Sequence, residues 1–336
     1  MQQSILSLFP VILLLTSCSS LWDGHGSETP LEVVRSFEIQ YQAVIENLPV
    51  GKTVQVWIPV PHDDPHQKIR NLQISGNFSG EIELHTESVY GNRMAYYEGT
   101  VLAPSITFTI EYQVDRYLYQ TNFEAIDDSG EVAGTDFDIY LKPSALCFVN
   151  DTIRLGVKEI VANRTTTLEK ARGFYDHVLT RMSYDKNHQG WGRGSTEHAC
   201  SVGKGNCTDF HTYFNSLCLA AGIHSRFQIG VWGRYETVSG TRYKTGDYHC
   251  WAEFYVPGHG WVPVDISEAD RNPSKVDAYF GYHTANRVTV STGRDIVLEP
   301  AQAGEPLNYF INPYSEVDGR SHPLKKASFW RDLNGS

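Results

Sequence analysis

Gly203-Lys204-Gly205-Asn206-Cys207-Thr208-Asp209-Phe210 is the stretch on which the reading of this chain turns. Asn206 is a good helix cap, and Asp209 falls at the third helical position, where a carboxylate meets the positive end of the backbone dipole. From Cys207 onward Phe210, Phe214, Leu217 and Ala221 recur at helical spacing on the face that holds the cysteine, and Gly222 stops the run. The predicted helix, Cys207 to about Ala221, therefore turns a first-turn thiol toward whatever its apolar face packs on. Unpaired N–H groups at a helix start favour thiolate over thiol, and thiolate is the reactive form. An ordinary core cysteine needs neither the cap nor the glycine-rich approach.

A nucleophilic thiol needs a base and a group to hold that base. Tyr248 to Val256 alternates as a strand, and Pro257-Gly258-His259-Gly260 turns it into Trp261-Val262-Pro263-Val264-Asp265-Ile266. If Tyr255 lies opposite Trp261, Trp251 faces Asp265 and His249 is its diagonal neighbour on the same face, within hydrogen-bond reach. A slip of one residue would put the two on opposite faces. Trp251 and Trp261 are expected to pack around the pair and keep water from it. Trp191, inside Gly190-Trp191-Gly192-Arg193-Gly194, either lines a substrate cleft or anchors the loop on the surface. His211, one turn from Cys207, is a rival base, but no carboxylate in the sequence is placed to orient it, and a rim or core position is expected.

Outward from this centre the periodicity changes. Leu168, Ala171, Tyr175, Val178, Leu179 and Met182 form one helical face behind a Thr166…Glu169 capping box. Further strands are expected at Arg287–Ser291 and Ile296–Leu298. From Val33 to Val114 the period is two, clearest in Ile106-Phe108-Ile110-Tyr112-Val114, with turns at 47–51, 59–65 and 75–80. The expected architecture is α+β: an N-terminal antiparallel β-sandwich over 33–145, then a unit over 146–336 whose cysteine-bearing helix packs on an antiparallel sheet, with a C-terminal β extension.

A length of 336 residues suits two such units. The net charge of −11, without a Lys/Arg run, excludes nucleic acid as the main partner. The apolar run Ile5 to Leu15 is too short for a comfortable membrane span and ends in Leu15-Thr16-Ser17-Cys18. It resembles a bacterial lipoprotein signal in which Cys18 is lipidated; an ordinary cleaved signal is the alternative, and either exports the protein. Residues 19–32 read as a tether, placing the folded part in the cell envelope, facing the periplasm and held to the membrane by the lipid. Cys147, Cys200, Cys218 and Cys250 allow three disulfide connectivities, with Cys218 and Cys250 better read as small buried residues. His198, Cys200, Cys207 and His211 match no common zinc spacing, so no metal and no cofactor are expected. Oligomeric state is not encoded legibly.

Four segments in order, Gly205-Asn206-Cys207-Thr208-Asp209, Ala221-Gly222-Ile223-His224-Ser225-Arg226, His249-Cys250-Trp251-Ala252-Glu253 and Gly260-Trp261-Val262-Pro263-Val264-Asp265, resemble the transglutaminase-like superfamily pattern G-x-C-x-D, A-G-I-P-x-R, H-x-W-x-E, G-W-x-x-x-D. His224 stands where the family usually has proline. The resemblance implies a papain-like fold and a triad of Cys207, His249 and Asp265 acting on a protein or peptide amide through a thioester, which water or an amine then takes. The Cys207 N–H serves as one oxyanion donor, and Gln189 and Trp191 are candidates for the second. The rival is a non-catalytic peptide- or glycan-binding envelope module on the same fold. For the anchor, Cys18→Ser is expected to release the protein from membranes or block its processing; recovery of soluble mature wild-type protein would refute lipidation.

Overall fold

The computed structural model describes residues 32–128, 130, 135–187, 189–246 and 248–333. The expected signal, Cys18 and all of the tether but residue 32 lie outside the described residues. Period-two alternation becomes strands β1 (Val33–Glu46), β2 (Thr53–Val60), β3 (Gln67–Gly76), β4 (Glu83–Thr86), β5 (Arg93–Thr100) and β6 (Ser105–Tyr117). Then follow helices α1 (Asp151–Ile160), α2 (Thr167–Arg181), α3 (Thr196–Val202) and α4 (Cys207–Ala220). The chain continues through β7 (Ser225–Trp232), β8 (His249–Val256), β9 (Gly260–Val264), α5 (Ile266–Arg271), β10 (Arg287–Thr292), β11 (Tyr314–Val317) and β12 (Leu324–Asp332).

Two five-stranded sheets make the sandwich. One runs from the short strand Arg242–Lys244 through β12, β1 and β6 to β3; the other runs from Arg320–Ser321 through β11, β2 and β5 to β4. Phe37, Ile39, Ala43 and Ile45 of β1 and Ile106, Phe108, Ile110, Tyr112 and Val114 of β6 point inward and are buried, the alternation their sequence spacing demands. The third sheet, in the order β9-β8-β7-β10, is antiparallel and packs α4 on one face. There Phe210, Phe214 and Leu217 meet Ala252, Phe254 and Val256 in one core with Ala171, Phe174 and Val178 of α2.

Three expectations need correction. Residues 146–336 do not all belong with the helices: β12 pairs with β1 from Phe37↔Asp332 to Ile45↔Leu324, and β11 pairs with β2. The long strand β1 would otherwise carry an unpaired edge, and Trp330 stacks on Phe37 with centroids 3.5 Å apart. Ile296 to Leu298 forms no strand; Ile296 makes one bridge to Leu307, and both side chains pack near Trp57. Helices α1 and α3 lie where none was expected, one carrying Gly156 in its interior and the other only seven residues long.

How the sandwich holds the third sheet decides the site. Strand β10 is an edge, and two buried amides act as its missing partner. Gln67 donates to Thr289 O (2.9 Å) and accepts from Thr289 N (2.8 Å), and Asn92 does the same with Thr292 (2.7 Å each). Gln67→Met keeps the volume but orphans both Thr289 backbone groups, and it also takes a partner from the His62 carbonyl (2.8 Å) and from the buried Arg116 guanidinium (3.1 Å). The two Thr289 groups alone are expected to cost about 2–6 kcal/mol, at roughly 1–3 per group, in urea unfolding. An unchanged midpoint would show that the amides do not carry this joint.

Candidate active site

Helix α4 starts as its sequence requires. Asn206 Oδ1 accepts from Thr208 N (2.9 Å), and Asp209 Oδ2 accepts from Asn206 N (3.0 Å), a reciprocal cap. The Asp209 carboxylate does more than cap. It is buried and also accepts from Gly192 N (2.6 Å) and Gly194 N (3.0 Å), so it pins the 189–194 loop to the helix start. Burial pushes its carboxyl up in spite of these three N–H groups. A Cβ at Gly205 would collide with that carboxylate, which is why glycine stands two residues before Cys207. Gly192 has φ +81°, a conformation that glycine adopts without strain.

The hairpin has even register, with Tyr255 opposite Trp261 and Ala252 opposite Val264. His249 opens β8, and its Nε2 lies 2.8 Å from Asp265 Oδ2, leaving Nδ1 for other partners. The Cys207 thiol lies close enough to His249 and Cys250 for each to shift its ionisation, and Cys250 Sγ donates to Thr208 Oγ1 (3.4 Å). Cys207, His249 and Asp265 thus come together, each almost wholly buried. Asp265 also caps α5, accepting at Oδ1 from Glu268 N and Ser267 Oγ (3.2 Å each).

Charge is arranged in a line. Burial would raise the Asp265 carboxyl, but the His249 and Arg287 charges outweigh it and hold it well below the usual carboxylate range. Burial works against a charged His249, yet the Asp265 carboxylate and Cys207 raise the ring to about 9. For Cys207, burial favours the thiol, while bonds from Cys250 and His249 and the His249 charge bring it well below an ordinary thiol. The favoured state is a thiolate–imidazolium pair. Cys218 and Cys250 are pushed the other way by burial. All five cysteines among the described residues are free.

The other sequence-derived candidates are placed differently. Trp251 is buried next to the histidine, its Nε1 donating to Gln228 Oε1 (2.6 Å), and it lines a cavity of about 400 Å³ together with Gln228, Glu253 and His283. Trp261 packs at the far end of the hairpin against Phe137 and Tyr255, with the Arg226 guanidinium 4.1 Å from its ring, not around the triad. Gln189 and Trp191 are exposed on the loop that Asp209 pins, Trp191 under the Lys186 ammonium. His211 is fully buried and bonds the Cys207 carbonyl, not the thiol. Among the described residues no three His, Cys, Asp or Glu side chains converge as a metal site.

Two residues escaped the sequence reading. Arg287 is buried at the start of β10 and donates to Asp265 Oδ2 (2.9 Å). Its guanidinium carbon lies 4.8 Å from the ring centres of both Trp232 and Trp251, a cation–π contact with each, while its Nε and Nη1 are buried without a hydrogen-bond partner among the described residues. Trp232 itself covers the His249 ring at 4.2 Å. The available signal was a lone arginine opening an alternating apolar strand.

Residues 156–266 match the model of the transglutaminase-like superfamily. An uncharacterised protein of Haemophilus influenzae is 26% identical over 345 residues, spanning 92% of this chain and 93% of its own. A solved structure described as a candidate cysteine protease, from Cytophaga hutchinsonii, is 16% identical, covers 90% of this chain and 92% of its own, and has a TM-score of 0.58, a likeness of fold. The electrostatics predict that iodoacetamide at about pH 6, far below the ordinary thiol value of about 8.5, modifies Cys207 first. Mass mapping that finds another cysteine modified ahead of it would contradict the ion pair.

Proposed function

We propose that this member of the transglutaminase-like superfamily is a thiol-dependent acyl-transfer enzyme acting on amide groups of protein or peptide. The reading is carried by one observation, a buried Cys207, His249 and Asp265 array in which the thiol is lowered and the imidazole raised. The Cys207 thiolate attacks the amide carbonyl, and the oxyanion gathers at the helix start, where the Cys207 N–H has no intrahelical acceptor. The second donor comes from the loop pinned by Asp209, which carries Gln189 and Trp191. As the tetrahedral adduct collapses, the C–N bond breaks, His249 Nδ1–H protonates the departing amine, and a thioester remains. Water or a primary amine then attacks the thioester, His249 removes its proton, and the Cys207 thiolate leaves. The Leu15-Thr16-Ser17-Cys18 box supports the further proposal that this chemistry takes place outside the cytoplasm, on a lipid-anchored protein.

A Gln-bearing peptide incubated with and without a primary amine, and followed by mass, tests the reading. Deamidation or cleavage marks hydrolysis, and an amine adduct marks transfer. Cys207→Ala is expected to abolish every product. Asp265→Asn keeps a capping side chain but removes the charge, and is expected to lower turnover by up to ~10⁴-fold. The acid form of His249 is present below about 9 and lost above it, so kcat/KM rises with Cys207 ionisation on the acid side and falls on the alkaline side through that value. Products surviving Cys207→Ala would overturn the proposal.

A further inference from the structure

We infer that His211 is a positioning residue that fixes the separation between nucleophile and carboxylate. This deepens the proposed mechanism and rests on its assignment of Cys207 and Asp265. His211 Nδ1 is 2.7 Å from the Cys207 carbonyl oxygen, which has no proton to give, so Nδ1 carries hydrogen. Nε2 is 3.0 Å from the backbone nitrogen of Ile266, a donor only, so Nε2 is bare and accepts. The two bonds admit one state of the ring, the neutral Nδ1–H tautomer.

Asp265 Oδ1 stands 3.9 Å from Nε2, within ion-pair range. Nε2 is already engaged as an acceptor, however, and Oδ1 is taken by Ser267 and Glu268, so the contact is not an ion pair. The groups facing the ring are Asp265, Cys207 and His249; burial outweighs the two anions and brings His211 down to about 4. It stays neutral where the enzyme works and does not compete with His249 for the proton of Cys207.

The placement gives the ring its work. Cys207 is the first residue of α4 and Ile266 the first of α5, directly after Asp265. One imidazole therefore joins the backbone that carries the thiol to the backbone that carries the carboxylate. His249 must bridge those two groups, so the ring sets the gap that His249 spans. Ile266 N–H is one of the α5 donors without an intrahelical acceptor, and His211 satisfies it.

The amide series separates the two bonds. His211→Gln can present an oxygen to Ile266 N–H; His211→Asn can reach only the Cys207 carbonyl; His211→Phe keeps volume and neither bond. With p-nitrophenyl acetate as acyl donor, Asn and Phe are expected to lose ~10- to 100-fold in kcat with KM little changed, and Gln to recover most of the loss. Asn equal to Gln, or Phe equal to wild type, overturns the inference. Should the variants fail to fold, ¹⁵N NMR of the wild-type imidazoles decides: a neutral, Nδ1-protonated His211 across about pH 5 to 8 supports it, and an Nε2–H or doubly protonated ring overturns it. Turnover of this ester by Cys207→Ala would instead count against the thiol assignment, without bearing on the NMR result.

Discussion

The carboxylate of Asp265 has no surface left to water, and every bond it would have made to solvent must come from protein, at a desolvation cost of several kcal/mol. His249 and Arg287 meet one oxygen, while Ser267 and the Glu268 N–H meet the other. These partners arrive from β8, from β10 and from the first turn of α5, so a single charge ties together two strands and a helix. Arg287 then needs shielding of its own, which the two tryptophan faces supply, and one of those tryptophans also covers the histidine. Much of the aromatic content near the site is explained by this one anion.

The sandwich enters the same account through β10. Its free edge is matched by Gln67 and Asn92, side chains that imitate a neighbouring strand at two points, and the arginine that neutralises Asp265 sits at the start of that edge. The N-terminal sheets therefore do more than accompany the helical unit: they fix the strand from which the counter-charge is delivered. Cys207 and Cys250 share a buried cluster with Phe37, Val56 and Phe108 of the sandwich, so the two units have no solvent layer between them at this point.

What the sequence made legible was local. A cap, a first-turn thiol and a helical stripe lie within a few residues, and the period of two in the hairpin left a single register that joins His249 to Asp265. Arg287 was not legible because its bond to Asp265 crosses 22 residues and joins the end of one sheet edge to the other. Trp261 was placed near the triad because it shares a face with Asp265, but four residues of extended chain are about 13 Å, and that distance removes it. Strand β12 escaped because Lys325 and Lys326 break the alternation, and its partner is at the opposite end of the chain.

That last pairing has a temporal side. In the sheet that contains β1, one of its two neighbours, β12, is synthesised long after it, and Trp330 of that strand fills the place against Phe37. While the chain is still emerging, β1 offers a row of open hydrogen-bonding groups to any passing strand, and the sandwich that steadies β10 is incomplete. Completion of this sheet therefore waits until β12 is out, so a polypeptide released before it lacks the frame for the chemistry even when every residue of the triad has been made.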